Sequence, residues 1–501
     1  MSGSLRDYPD WKAPSEDGQV VIWPHPGQIL RDTLSNQKRL GTSDSIVIQN
    51  IPLPRVRRRM RQFIGQDSDQ PILAMGHQTE LFHAGVWAKN ALLHAAAGKV
   101  EGQAFHIAVD SDAPKHLELR WPGQAVPISD DPHLTTASWS AQLSPPSPAH
   151  IDQIFSMLKD WPWDFKPVVG EVLASLRKSA LERDVTLAAA LANALHELDW
   201  GLGLRQHVLL ASPIWGCEAF LLFVHDLVAR PDAIAAHYNT ALEQYRKAHG
   251  IASNMRPMPD LFASDESVEI PFWLDDLHGG KRIRPTVFRT DNGWMLKLPG
   301  GEEFTFEKEI DGWEAANRLN RWLVSTQHRI APRALTLTMF LRLLMVDQFV
   351  HGIGGGRYDQ VTDQLIHLHY DIEAPAFAVT TGTMYFPPAV GQQRLCIPCV
   401  KQEGHRLRHG ALGQRKRELV AQIASLPRRS KDRSRRFYQM HAELNDVISQ
   451  TGVMVSWQQK VLDTEQKLRE EQTLFDRELF YGMQSKERLL GMIRRYVAEF
   501  E

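Results

Sequence analysis

The chain has 501 residues, 43% apolar and 23% charged, a balance that supports a buried core and excludes global disorder. Lys plus Arg number 57 against 59 for Asp plus Glu, and this net charge of −2 excludes a uniformly basic or acidic partner surface. Three cysteines, Cys217, Cys396 and Cys399, are too few for a disulfide framework and fit a reducing, cytoplasmic setting.

The first residues lack the apolar core of a secretory signal, and no stretch reaches the roughly 20 apolar residues of a membrane span. Residues 1–70 read as a polar, proline-rich extension. Their basic run, Arg55, Arg57, Arg58, Arg59 and Arg61, predicts a solvated helix face, because no aromatic platform for nucleic acid accompanies it.

A buried strand is predicted at Pro71–Met75, then a loop over Gly76–Gly85, a helix over Val86–Gly98 and a second strand at Ala104–Asp110. This β-loop-α-β order implies a parallel sheet. Helical pattern fills Pro167 to about Leu202, a strand follows at His207–Pro213, and Glu218–Gly250 is helical with a break near Pro231. Period-2 alternation with DNG and PGG turns predicts a small inserted antiparallel β subdomain over residues 257–310. Helix is predicted again at Trp313–Val324 and Thr336–Val350, then a Gly-rich loop at His351–Asp363 and a strand at Ala374–Pro387.

Residues 391–501 read as a basic linker and helical arm, with 20 basic and 14 acidic residues from Lys401 onward. Met440, Val447, Met454, Val461, Leu468 and Phe475 recur at steps of seven, while the complementary positions are apolar only at the ends. That is half a coiled-coil seam, suited to packing against another helix or a second copy. The domain reading is thus an extension (1–70), a core in two parts (71–256 and 311–390), an insert (257–310) and the arm (391–501).

Four constellations carry candidate chemistry. Gly76, His77, Gln78 and Thr79, with His83 behind them, sit at a strand end where a helix opens, a place suited to an anion or substrate and equally to a capping turn. The spacing matches neither GxGxxG nor a P-loop. Asp110, Asp112 and His116 end the next strand; the carboxylates could hold a cation or ammonium group, orient His116 as a base, or serve as turn caps. His351, Gly354, Gly355, Gly356, Arg357, Tyr358 and Asp359 form the Gly-rich segment, either a ligand approach with Arg357 as anion clamp or a connection between helices. Cys396, Cys399, His405 and His409 are zinc-ligand types, but the middle spacing is too short for a standard finger, and no metal is assigned. Cys217 reads as a small buried hydrophobe.

The order of these pieces resembles the bacillithiol-biosynthesis cysteine-adding enzyme family (BshC). The carrying stretches are ILAMGHQTELFHAGVWAKNALLHAA, FHIAVDSDAPKH and RALTLTMFLRLLMVDQFVHGIGGGRYDQVTDQLI, with the AFAVTTGTM strand. The resemblance implies an α/β fold: a Rossmann-like parallel-sheet core, an inserted subdomain and a C-terminal coiled coil that mediates a homodimer. It implies an amide-forming ligase that joins cysteine to the amine of glucosaminyl malate. Its loops diverge from the family pattern, reading MGHQ for T-G-Q-Q, DSDAPKH for E-D-H-D and GGGRYD for G-G-P-G-E.

Amide formation from a free carboxylate is uphill in water, so ATP or an activated acyl donor is expected. In that scheme Gly76–Thr79 and Arg357 hold anionic groups, Asp110 and Asp112 hold an ammonium, and His77 or His116 takes the proton. Two other classes stay open. One is a non-catalytic, Rossmann-like metabolite-binding dimer scaffold. The other is nucleic-acid binding through the basic arm, with a steep salt dependence as its signature.

Overall fold

The computed structural model describes residues 8–66, 68–387 and 397–501. The chain divides into two compact units: Met1–Leu119, Val126–Met384 and Arg477–Glu501 form the first, and Arg120–Ala125 with Tyr385–Asp476 form the second.

The first unit is a mixed α/β structure built on a six-stranded sheet. Its strands are β1 (Val20–Trp23), β2 (Ile72–Gln78), β3 (Gln103–Val109), β4 (His207–Leu210), β5 (Gln348–His351) and β6 (Phe377–Gly382), in the order β1-β6-β5-β2-β3-β4. All pairings are parallel except that of β1, which closes one edge antiparallel to β6. The N-terminal segment expected as a bare extension therefore contributes a strand.

Helix α1 (Ala84–Lys99) links β2 to β3, and α2 (Ile353–Tyr370) links β5 to β6. α1 is apolar around nearly its whole circumference, as a helix enclosed on all sides must be. A Cβ on Gly85 would lie 2.6 Å from Thr381 Oγ1 and 2.8 Å from the Gly382 carbonyl, so this glycine lets α1 lie directly on β6. On the other sheet face, Val361, Leu365 and Ile366 of α2 join Ile72, Ala74, Phe105, Ile107 and Phe349 in the main core. Helix α3 (Lys486–Glu499) packs on α1, so the last 25 residues return to the first unit rather than extending the arm.

One expectation is overturned inside the sheet. The helix expected over Thr336–Val350 ends at Phe340; Leu341–Met345 forms a π-helical turn, and Gln348–His351 is strand β5. A largely apolar stretch, here broken only at single polar positions such as Arg342, Asp347 and Gln348, reads as buried helix or buried strand equally well. The Gly-rich segment is likewise not a loop, because Gly354, Gly355 and Gly356 lie in the first turn of α2. The break at Pro231 is present: helix Glu218–Val228 ends and Pro231–Ala248 begins on that proline.

The expected antiparallel hairpins form a four-stranded sheet of Ser267–Glu269, Thr286–Thr290, Gly293–Lys297 and Glu303–Glu307. A separate three-stranded sheet joins Phe272–Asp276 to Lys281–Ile283 and His328–Pro332. The arginine run lies on helix Leu53–Phe63, yet its face is not simply solvated. Arg57 is buried and, with Arg61, pairs with the buried Asp347.

The second unit is helical: Ile397–Gly410 packs on Val453–Leu474, and Gly413–Ser425 packs on Lys431–Thr451. Gly452, left-handed at φ 64°, separates two of these helices and cuts the seven-residue series between Val447 and Met454. Leu419, Ile423 and Met440 make a small apolar centre there. Among the described residues, no helix is long and apolar enough to cross a membrane.

Candidate functional site at the strand ends

The chain leaves β2 toward β3 and leaves β5 toward β6, in opposite directions across the sheet. In an open parallel sheet, a ligand crevice forms beyond the carboxyl ends of such a strand pair. Val350 pairs with Met75, and side chains alternate along a strand. Gly76 and Gln78 therefore share one face with Phe349 and His351, while His77 and His106 share the other. A Cβ on Gly76 would sit 3.4 Å from Phe349 Cζ, which agrees with this arrangement.

On the first face, Gln78 Nε2 donates to Asp112 Oδ2 at 2.9 Å and joins the two predicted loops. Asp112 also lies 3.4 Å from Arg282 Nη1. Arg282 donates to the Ser111 carbonyl and, through Nε, to Asp275 at 2.6 Å. Arg329 reaches the other oxygen of that fully buried carboxylate at 2.8 Å. Both guanidiniums lie over Trp139, at 5.7 and 5.3 Å, which holds them flat and in place. Arg282, Arg329 and Asp275 carry no local motif and lie more than 160 positions from Asp112, so sequence reading missed them.

Asp110 does not face the crevice. It is buried and accepts from the Ser212 amide at 2.8 Å and from the Ser212 hydroxyl, tying β3 to the turn after β4. Thr79 is buried too, with its hydroxyl on the Val109 carbonyl at 3.2 Å. His116 is exposed in left-handed backbone at φ 44°, and its carbonyl accepts from the Leu81 amide at 3.1 Å. Its ring lines a shallow concavity of about 460 Å³ with Lys115 and is not hydrogen-bonded to either aspartate. His83 caps α1, its Nδ1 accepting from the Gly85 amide at 3.0 Å.

The second face holds a buried set of ionisable groups. Lys89 Nζ donates to the Gly76 carbonyl at 3.0 Å, and burial pulls its pKa down to about 7. Burial pushes Glu80 up to about 7 against the pull of Lys115 and Lys89. Glu80 Oε1 lies 3.5 Å from His77 Nδ1, and its Oε2 has no partner among the described residues. Burial, aided by Lys89, holds His77 well below the usual histidine range and takes His106 down to about 3, so both rings are neutral. Phe82 contacts both imidazoles, at 5.6 and 5.9 Å between ring centres. Glu80 stood inside the predicted loop, and Lys89 is the single charge inside α1 before its last turn; that mismatch was the available signal.

In the Gly-rich segment, close packing accounts for Gly355 and Gly356 but not for Gly352 and Gly354. Nothing lies within 4 Å of a Cβ on Gly352 or Gly354. One on Gly355 would stand 2.7 Å from His351 Nδ1, and one on Gly356 would stand 2.5 Å from Val379. Arg357 turns away from the crevice to Asp10 at 3.1 Å and the Trp11 carbonyl at 2.8 Å, so it pins the N-terminal segment instead of clamping an anion. Tyr358 is exposed.

Asp359 is buried, accepts from Arg342 Nη1 at 2.6 Å and lies 2.8 Å from His351 Nε2. Burial opposes its charge, but Arg342 and then His351 outweigh that and hold it far below the ordinary carboxylate range. Arg342, on the π-helical turn, also donates to Asp363, which accepts from Tyr8 as well.

Among the described residues no three His, Cys, Asp or Glu side chains are placed to hold a metal ion. Cys396 lies outside the described residues. Cys217 is buried, its thiol pushed up to about 11 by burial, and it caps helix Glu218–Val228. No family model matches the chain, and no curated protein matches it significantly.

Proposed function

We propose that the chain is a small-molecule ligase working at the strand-end crevice, of the type that adds cysteine to an amino-sugar conjugate in making a low-molecular-weight thiol. The parallel strands, numbered in chain order, lie 3-2-1-4-5 across the sheet, the order of a Rossmann-like core. The observation that carries the reading is the Gln78–Asp112 bond of 2.9 Å, which fuses two strand-end loops into one polar wall. Asp112 is the group that would hold an amino acid's ammonium, and Arg282 beside it would hold a carboxylate. ATP or an activated acyl donor would drive the coupling, with the second copy expected to pair through the helical arm.

The test is incubation of the full chain with cysteine, glucosaminyl malate and ATP, followed by mass spectrometry. The expected product is the amide, heavier than the amine by one cysteine less water. Thiol profiling of the source cell with and without the gene gives the second arm. No amide and an unchanged thiol profile would overturn the reading.

A further inference from the structure

The sheet face shared by Gly76 and Gln78 also carries His351. His351 stands at the last position of β5, one step beyond the Val350–Met75 pair, so it comes opposite Gly76. The His351 side chain is buried. The imidazole is fixed from three sides. Phe349 and Phe377 lie 4.6 and 5.2 Å from it, and Asp359 Oδ2 lies 2.8 Å from Nε2.

Asp359 is ionised because Arg342 is bound to it at 2.6 Å. An ionised carboxylate only accepts, so Nε2 carries a proton and Nδ1 is the ring nitrogen left to exchange one with a ligand. Nδ1 has no hydrogen bond among the described residues and lies beside Gly355 in the first turn of α2. Arg342 and Asp363 are the other charged groups next to the pair, and both are bound to each other or to Asp359.

We infer that His351 and Asp359 form a proton-accepting dyad, with Nδ1 presented to the crevice to take the proton of a bound ammonium or thiol. The proton passes from the ligand's N–H or S–H to Nδ1, and the ligand keeps the electron pair. The imidazolium formed still donates Nε2–H to Asp359. Asp359 is a positioning residue here and Arg342 positions Asp359. This assignment deepens the ligase reading and rests on it for the identity of the ligand, but not for the state of the ring.

Acylation of histidines in the full chain by diethyl pyrocarbonate, followed peptide by peptide by mass spectrometry, tests the dyad without any substrate. His351 is expected to react through Nδ1. Asp359→Asn is expected to slow that reaction by roughly tenfold, because the ring loses the negative charge that favours added positive charge on it. Exposed His116 should react equally fast in both proteins. Gly355→Ala is the second variant, needed if Asp359→Asn fails to fold; its methyl obstructs Nδ1 and should slow His351 while the Asp359 contact stays. An unreactive His351 beside a reactive His116, or a His351 rate unmoved by the folded variants, would overturn the dyad. A chain that makes no amide yet gives the expected rates keeps the dyad and loses the ligase reading.

Discussion

Gln78 and Asp112 are 34 positions apart, yet the amide of one donates to the carboxylate of the other at 2.9 Å. Neither helix nor sheet pairing requires this bond; it exists because β2 and β3 end side by side. Its loss should weaken ligand binding without unfolding the chain. Under the proposed ligase reading, Gln78→Ala and Asp112→Asn are each expected to reduce affinity for cysteine by about tenfold, the ~1.4 kcal/mol of one hydrogen bond. Calorimetric titration measures this, with the unfolding midpoint as the control.

The pH dependence of stability should carry the mark of Glu80. Its pKa in the folded chain is about 7, against 4.5 for an ordinary glutamate. Between those limits the folded state holds a proton that the unfolded state has released, so stability falls as pH rises through the window. Asp199, buried and raised to about 7, acts in the same direction. Lys89, lowered from 10.5 to about 7, has the opposite slope above neutrality, its contribution being lost as pH falls from 10.5 to 7. Glu80→Gln should therefore flatten the fall between pH 5 and 7 by roughly 2–3 kcal/mol. Urea unfolding at a series of pH values shows it.

Two neighbouring glycines should respond differently to the same methyl group. Gly356→Ala would drive a Cβ to 2.5 Å from Val379 and should cost ~1–3 kcal/mol through overpacking. Gly354→Ala meets nothing within 4 Å and should be neutral or stabilise α2 by up to ~1 kcal/mol. Thermal unfolding of both variants separates a packing glycine from an open one.

Asp347 anchors the start of strand β2. It is fully buried, binds Arg57 and Arg61, and accepts from the Ile72 amide at 2.8 Å. Asp347→Ala strands Arg57 without a counter-charge and should cost ~3–5 kcal/mol, the usual effect of breaking a buried pair. The denaturant midpoint is the readout, and a change under about 1 kcal/mol would mean the arginines find other partners.

Much of the fold was legible. Strands β2 and β3 with α1 between them follow from apolar runs, although α1 runs through Gly98, the glycine expected to stop it, to Lys99, and the DNG turn set the hairpin around Thr290–Gly293. Strand β5 was not legible, because the helical apolar pattern continues into it past Arg342, Asp347 and Gln348, whose burial the sequence does not show. That miss hid the most informative feature of the sheet, since without β5 there is no reversal between β2 and β5 and no place for His351.

Sequence by itself determined which residue types stand at the strand ends: His77, Gln78, Asp112, His351 and Asp359 were all in view. Their grouping was decided by tertiary structure. Alternation sends Gln78 and His77 to opposite faces, so adjacent residues join different clusters. Asp110 and Arg357, which looked like ligand groups, are occupied by Ser212 and by Asp10 and Trp11. Arg282, Lys89 and Glu80 enter because burial and proximity, not local pattern, decide which charges must find partners. A short-range motif fixes what a side chain can do; the packing of distant segments fixes what it meets.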